Sequence, residues 1–427
     1  MNAFNLIIIG DEILHGSRQD KHFSFFKALL ESHGLKLNQV QYLPDEPDLL
    51  VKQLRRSFSD GLPTFVTGGI GSTPDDHTRQ AAAAALDLPV VRHPEAAKFI
   101  EGVTQKRGEP LDSPEHAQRL KMADFPEGAE LVPNPFNNIA GFSIREHYFF
   151  PGFPVMAHPM VEWVLETYYA DRFNQTERGS RSVYVFDQPE SRITPIMEHL
   201  ERTYAGVRSY SLPTVGRTDS DGLPTFVTGG IGSTPDDHTR QAAAAALDLP
   251  VVRHPKAAKF IEDVTQKRGE PLDSPEHAQR LKMADFPEGA ELVPNPFNNI
   301  AGFSIHEHYF FPGFPVMAHP MAEWVLEIYY ADRFNQTECG SRSVYVFDQP
   351  ESRITPIMEH LERTYAGIRS YSLPTVGRTD SDGRYTPPYI EFGIKAEGEA
   401  CRLLDAAWED ALQGLQAIGA TLKETVE

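Results

Sequence analysis

The sequence predicts an α/β protein: a mostly parallel sheet with helices on its faces, followed by a small α+β domain, with parts of both repeated in the middle. Three observations carry this. Apolar runs that end in glycine alternate with segments of helical spacing through the first third of the chain. A strand–helix–strand unit starts near Ser180 and gains a further strand and helix at the C-terminal end. Residues 60–220 reappear as 221–381, at a constant offset of 161.

The run "FNLIIIG" is continuously apolar and stops at Gly10, as expected of a strand buried on both faces. Phe23, Phe26, Leu29 and Leu30 follow helical spacing, and Gly34 stands where a helix ends. "LKLNQVQYLP" alternates like a strand, and "PDLLVKQLRRSF" returns to helical spacing. "LPTFVTGG" is a second buried strand with a glycine stop. Strand–helix–strand–helix–strand implies a parallel sheet. Thr73, Pro74 and Asp76 read as the N-cap, first helical position and capping-box acid of a helix that Gln80–Leu86 continues.

Helices are further expected at "PEAAKFIEGVTQKRG", "SPEHAQRLKMAD" and "PVMAHPMVEWVLETYYADR", with a strand at "GFSIREHYFFPG" before the last. "RSVYVFDQ", "SRITPIMEHLERTYAG" and "VRSYSLPTVG" then read as strand, helix and strand. After the second copy, "PPYIEFGIKAEG" adds a strand and "ACRLLDAAWEDALQGLQAIGA" a helix. This βαββα order is ferredoxin-like.

Across the 161 repeated positions the copies differ at only seven, among them Arg145/His306, Val161/Ala322 and Arg178/Cys339. Solenoid repeats have periods of about 20–50 residues and drift widely. This repeat is instead a recent tandem duplication or an error of sequence assembly. The tripeptide "SDG" at Ser59–Gly61, Ser220–Gly222 and Ser381–Gly383 marks the joint. Four segments follow: a complete first domain over 1–172, a partial small domain over 180–221, an N-truncated second copy over 223–335, and a complete small domain over 341–427.

A formal charge of −20 argues against a nucleic-acid partner, because phosphate-backbone affinity comes mainly from Lys and Arg. Two cysteines exclude a disulfide framework and fit a reducing cytosol, so a cytoplasmic location is expected. "NLIIIG" is too short for a signal or membrane segment, and no membrane partner is expected. A homo-oligomer stays open.

In open parallel sheets, ligands bind beyond the carboxyl ends of strands. "GDE" (Gly10–Glu12) and "TGGIGSTPDD" (Thr67–Asp76) both fall there, and they face one crevice if the first and third strands are neighbours. Gly68, Gly69 and Gly71 allow close backbone approach to a ligand, and the following helix offers N–H groups to an anion. Asp75 and Asp76 would repel a phosphate, and Asp11 and Glu12 add two more acids. A hard divalent cation such as Mg²⁺ resolves the conflict by binding carboxylates and phosphate oxygens together. The expected ligand is therefore a phosphate-bearing small molecule. Lys21 and Arg79 are candidate phosphate partners. His15, His22 and His77 match no metal-ligand spacing, and no Walker A, G-x-G-x-x-G or G-x-S-x-G pattern is present.

"IGDEILHG", "TGGIGSTPDDHTR", "FPEGAELVPNP…AGF" and "FFPGFPVMAHPM", in that order, resemble the molybdopterin-binding domain family. The likeness is to its competence/damage-inducible (CinA) branch, N-terminal part, and covers residues 1–172. The resemblance implies a three-layer α/β/α domain. It also implies either hydrolysis of nucleotide pyrophosphates such as ADP-ribose with a divalent metal, adenylylation of molybdopterin, or pterin or nucleotide binding without catalysis. Carried over by match, Asp11, Glu12, Asp75 and Asp76 are the candidate catalytic residues, with Asp11 and Asp75 toward the metal. Gly10, Thr67, Gly68, Gly69, Gly71, Ser72, Thr73, Thr78, Asn134 and Gly152 are the candidate ligand-binding residues, and Pro135 and Pro154 fringe the site. Molybdopterin itself is a candidate ligand. The C-terminal amidohydrolase domain of full-length members is not recognisable here.

The second copy repeats the glycine loop at Thr228–Asp237 without a second "GDE" segment. Shorter loop closure gives residues 1–59 to the first copy, so the working site is expected there and none in the second. By the same reasoning, residues 384–427 should complete the small domain that follows the second copy.

Overall fold

The computed structural model describes residues 2–174, 224–334 and 338–425, apart from residues 17, 235, 376 and 380–384. The chain forms two compact units, Met1–Ser180 with Thr337–Glu427, and Arg181–Gln336. The partial small domain expected over 180–221 lies outside the described residues.

In unit 1, β1 (Ala3–Ile9), β2 (Lys36–Leu43), β3 (Thr64–Thr67), β6 (Glu130–Val132), β7 (Gly141–Ile144) and β8 (His147–Phe150) form one sheet in the order β2-β1-β3-β8-β7-β6. β1 pairs in parallel with β2 and β3, and β3 with β8. The first and third strands are thus neighbours, as the crevice requires. β4 (Val90–Arg92) and β5 (Asp124–Pro126) make a separate antiparallel pair.

Alternation along β1 builds the three layers. Ile7 and Ile9 pack in one core with Leu50 and Leu54 of α3 (Pro47–Asp60) and the alanines of α4 (Thr78–Ala85). Leu6 and Ile8 pack in the other with Phe26 of α2 (His22–Ser32) and Val164 of the helix Pro154–Tyr168. Both faces of the strand are buried, which is why Leu6–Ile9 is an unbroken apolar run.

Two expectations need correction here. "GFSIREHYFFPG" is a hairpin, β7 and β8, turned by Arg145 and Glu146 at φ 48 and 57. Two consecutive positive φ values define a type I′ turn, which fits the strands' twist even without Asn-Gly. The helix after the glycine loop starts at Thr78, with His77 as N-cap, rather than at Pro74. Thr73 and Asp76 bond one another within a turn that precedes the helix.

The small domain consists of strands Cys339–Phe347, Ile368–Thr375, Tyr389–Glu397 and Thr421–Lys423, with helices Glu351–Thr364 and Leu404–Ala417. Its sheet is antiparallel throughout, with Tyr389–Glu397 between Ile368–Thr375 and Cys339–Phe347, and Thr421–Lys423 on the far edge. The last strand extends the expected βαββα to the full ferredoxin-like βαββαβ. Three residues give too little alternation to be read from sequence.

This domain belongs to the same unit as the first copy, although it follows the second copy in the chain. Arg369 meets Glu46 at 2.6 Å, Lys121 meets Glu359 at 2.6 Å, and Lys395 meets Asp11. Glu46 and Asp11 lie in the single-copy segment, so only the first copy offers these partners.

Among the described residues, unit 2 has a four-stranded sheet in which Thr225–Thr228 is an edge, paired only with His308–Phe311. Phe65 is 0% exposed in β3, whereas its repeat Phe226 is 40% exposed. Leu165 is 0% exposed and its repeat Leu326 is 38% exposed. These are the surfaces that β1 and α2 cover in unit 1. Among the described residues, no helix is long and apolar enough to cross a membrane.

Candidate functional site

The site in unit 1 lies at the carboxyl ends of β1, β2 and β3. Gly10 ends β1 with its N–H on the Leu43 carbonyl at 3.0 Å, and Asp11 and Glu12 open the short helix α1 (Asp11–Leu14). Asp11 and Asp45 clasp each other: the Asp11 N–H donates to Asp45 Oδ2 at 3.0 Å, and the Asp45 N–H donates to Asp11 Oδ1 at 3.2 Å. Lys395 Nζ donates to the other Asp11 oxygen. Burial pushes the Asp11 carboxyl up, but the Lys395 hydrogen bond and charge outweigh it and hold Asp11 below the usual carboxylate range.

Among the described residues, no cation pairs with Asp45 in this way. Burial pushes its carboxyl up to about 7, and the charges of Glu12, Asp11 and Asp76 add to the rise against the Asp11 N–H. Sequence reading missed Asp45, although "LPDE" follows the end of β2 and obeys the same strand-end rule.

The glycine loop is held by its own side chains. Gly68 has φ +101, and a Cβ there would overlap the Ile9 carbonyl oxygen, so only glycine lets β1 and β3 end this close together. Thr78 Oγ1 donates to the Gly68 carbonyl at 3.0 Å, and the Thr78 N–H donates to Gly69 O at 3.0 Å. Asp76 accepts from the N–H groups of Gly71 and Thr73, each at 2.8 Å, and from the Thr73 hydroxyl. Asp76 is therefore the staple of the loop. The Ser72 carbonyl accepts from Gln118, and the buried Arg79 guanidinium spans the Gly71 and Lys121 carbonyls. Arg79 serves the loop through these bonds, and its Nε is buried without a partner.

Asp75 differs from its neighbour. Its Oδ1 is buried and accepts no hydrogen bond. Burial, then the charges of Asp76 and Glu351, push its carboxyl well up against a hydrogen bond from Thr73. Thr67 Oγ1, at the end of β3, is likewise buried without a partner. Such orphaned polar atoms are rare, and each calls for an explanation.

Two further residues come from the small domain and carried no local sequence signal. Glu351 opens the helix Glu351–Thr364 and accepts from Ser372 Oγ at 2.6 Å. Burial, with the charge of Asp76, pushes its carboxyl up to about 7 despite that hydrogen bond. Lys395 lies on the strand Tyr389–Glu397.

Asn134 and Gly152 lie in loops of their own, and their hydrogen bonds go elsewhere than to the carboxylates. The Asn134 side chain accepts from Phe136 N–H at 3.0 Å and donates to Asn137 and Ile139, so its polar atoms shape its own loop. Gly152 lies against Gly68, and its carbonyl is 3.0 Å from His22 Nε2.

Oxygen-only donors suit a hard cation, and the unpaired Asp75 Oδ1 fits one. Among the described residues, however, no three His, Cys, Asp or Glu side chains are gathered to hold an ion as they stand.

The doubly covered sheet, with a glycine loop and acids at its strand ends, defines an α/β protein of the class whose ligand sites lie beyond the carboxyl ends of strands. Residues 5–170 and again 222–331 match the family described as "Probable molybdopterin binding domain", and the chain belongs to that family. A protein of Pyrobaculum aerophilum is 29% identical over 201 residues, covering 46% of this chain and 74% of that one. A CinA-like protein of a Geobacter species is 29% identical over 200 residues, 45% of this chain and 47% of the relative. The chain thus spans about half the length of that CinA-like relative. Among solved structures, the CinA protein of Thermoplasma acidophilum aligns with a TM-score of 0.34 and 23% identity, covering 39% of this chain and 96% of that one. The molybdopterin biosynthesis enzyme MoaB of Thermus thermophilus aligns with a TM-score of 0.26 and 21% identity, covering 39% and 92%.

Proposed function

We propose that unit 1 binds a phosphate-bearing pterin or nucleotide between the Gly10–Glu12 and Thr67–Asp76 loops and cleaves its phosphoanhydride with the help of a divalent cation. The observation that carries this reading is Asp75 Oδ1, a buried carboxylate oxygen without a hydrogen bond, set among Asp76 and Glu351. Asp75 and Asp11 would hold the cation, which when bound would polarise the anhydride and offset the acids' repulsion of phosphate. Asp45, pushed up to about 7, is suited to take a proton from the attacking water at neutral pH. Gly68 and Gly69 let backbone line the phosphate path, and Asp76 keeps the loop in shape.

A second reading, binding without turnover, rests on Lys395, which already neutralises Asp11. One experiment separates the two. The chain is assayed against nucleotide pyrophosphates, ADP-ribose among them, and against molybdopterin with ATP, each with Mg²⁺, Mn²⁺ or Co²⁺. Metal-dependent cleavage that Asp75→Ala abolishes, with binding largely kept, supports hydrolysis. Transfer of an adenylyl group to molybdopterin would replace it with adenylyltransferase chemistry. Binding with no turnover under any metal leaves a binding module.

A further inference from the structure

The strand Ile368–Thr375 is an edge of the small-domain sheet, and within unit 1 it touches both halves of the crevice. On one side, Arg369 meets Glu46 at 2.6 Å, and its register partner Lys395 holds Asp11. On the other, Ser372 Oγ donates to Glu351 at 2.6 Å, and the charges of Glu351, Asp75 and Asp76 bear on one another. Tyr371 stands between these anchors, over the gap that separates the Gly10–Glu12 loop from the Thr67–Asp76 loop.

The far end of the Tyr371 ring lies directly over Gly393, its register partner on the next strand. A Cβ at 393 would fall inside the ring, so glycine is what lets the ring lie down on the sheet. Beyond Gly393 the hydroxyl reaches Ser343, on the third strand across. The side chain is only half-buried. Tyr345 and Tyr389 meet each other, with centroids 5.4 Å apart, and among the described residues no aromatic ring stacks on Tyr371. One ring face is therefore supported by backbone, and the other is open. Gly393 is two residues from Lys395, so ring and ammonium share one face of the sheet, about 7 Å apart along the strand.

We propose that Tyr371 is the stacking residue of the unit 1 site: the heterocycle of the ligand lies on its open face, and the phosphates run past Lys395 toward the two loops. The inference rests on the reading of unit 1 as a nucleotide or pterin site, and adds the residue that recognises the ring. Its strand lies outside both matched segments, 5–170 and 222–331, so the matched domain does not supply it. A rigid, pre-placed ring suits any flat base, because every base offers a π-face. Stacking therefore separates ligands with a ring from ligands without one, rather than purine from pterin.

AMP, a pterin monophosphate and ribose 5-phosphate, which has no ring system to stack, are titrated into the full chain by calorimetry, with Mg²⁺ and again in EDTA. At least one heterocyclic ligand should bind about fivefold or more tighter than ribose 5-phosphate. Tyr371→Leu should erase that difference and Tyr371→Phe should keep it. Tyr210→Leu, the same change in the same local sequence 161 residues earlier, should also keep it. In Tyr371→Trp, ligand stacked on the new indole should quench its emission relative to wild type. Failure of both heterocyclic ligands to bind better than ribose 5-phosphate would overturn the proposal. So would a preference that survives Tyr371→Leu, or an indole left unquenched at saturating ligand. Turnover of ADP-ribose with metal is followed separately. Its absence beside Tyr371-dependent binding would sink the hydrolysis and leave the stacking, whereas turnover with a KM that ignores Tyr371→Leu would do the reverse.

Discussion

Lys395 Nζ donates to Asp11 Oδ2 across 384 residues of chain. The contact ties the small domain to the end of β1 and neutralises one of the acids at the strand ends. Both side chains keep about a third or a quarter of their surface exposed, 34% and 26%. That exposure limits the pair to about 1 kcal/mol.

Replacing Lys395 with Met should therefore lower the stability of unit 1 by about 1 kcal/mol at pH 7. Asp11 has its carboxyl held below the unfolded value, so the contribution is full above that value. It is lost as pH falls through the folded pKa. Urea midpoints of the two proteins should differ at pH 7 and converge as pH falls below the ordinary carboxylate range. A constant difference would mean that Lys395 acts through packing.

Asp45 and Glu351 run the other way. Both are pushed up to about 7, so each folded carboxyl holds its proton over a range where the unfolded one has lost it. Their effect is a loss of stability as pH rises from about 4 to about 7. Asp45→Asn with Glu351→Gln should flatten that loss, and wild type and double variant should diverge most at pH 8. Matching pH profiles of the urea midpoint would show that the two groups are not perturbed.

The repeat allows the same substitution to be read in two environments. Phe65→Ala removes a fully buried ring and should cost about 3–5 kcal/mol in unit 1. Phe226→Ala touches a ring 40% exposed on an edge strand and should cost under about 1 kcal/mol in unit 2. Hydrogen exchange followed separately in the two units checks both values. Equal costs would mean that unit 2 buries Phe226 in solution.

Excising one repeat length leaves 266 residues and removes the edge strand Thr225–Thr228 with its exposed Phe226. Exposed apolar edges recruit other chains, so the shorter protein should give more soluble material and a single cooperative melt. Its metal-dependent turnover per molecule should match the full chain, because Met1–Ser180 and Thr337–Glu427 together make up unit 1. Equal yield and equal melting of the two proteins would count against the aggregation argument.

Much of the fold was legible because burial writes itself into composition. Leu6–Ile9 of β1 is unbroken Leu and Ile because Leu6 and Ile8 face one core and Ile7 and Ile9 the other. Asp11 and Asp75 were legible as acids at strand ends. Asp45 needed the same rule applied once more, to β2. The Thr73–Asp76 pair misled because a capping box and a bonded turn place the same residue types at the same spacing. Glu351 and Lys395 were illegible in principle, since nothing near them in sequence records which copy they meet.

The assembly of unit 1 from the two ends of the chain sets an order in time. At about 5–20 residues per second, Asp11 waits roughly 20–80 s on the ribosome before Lys395 is made. Throughout that interval the first domain carries an acid cluster with no ammonium group to balance it. The pairing of Asp11 with Lys395 is therefore among the last contacts of unit 1 to form as the chain is made.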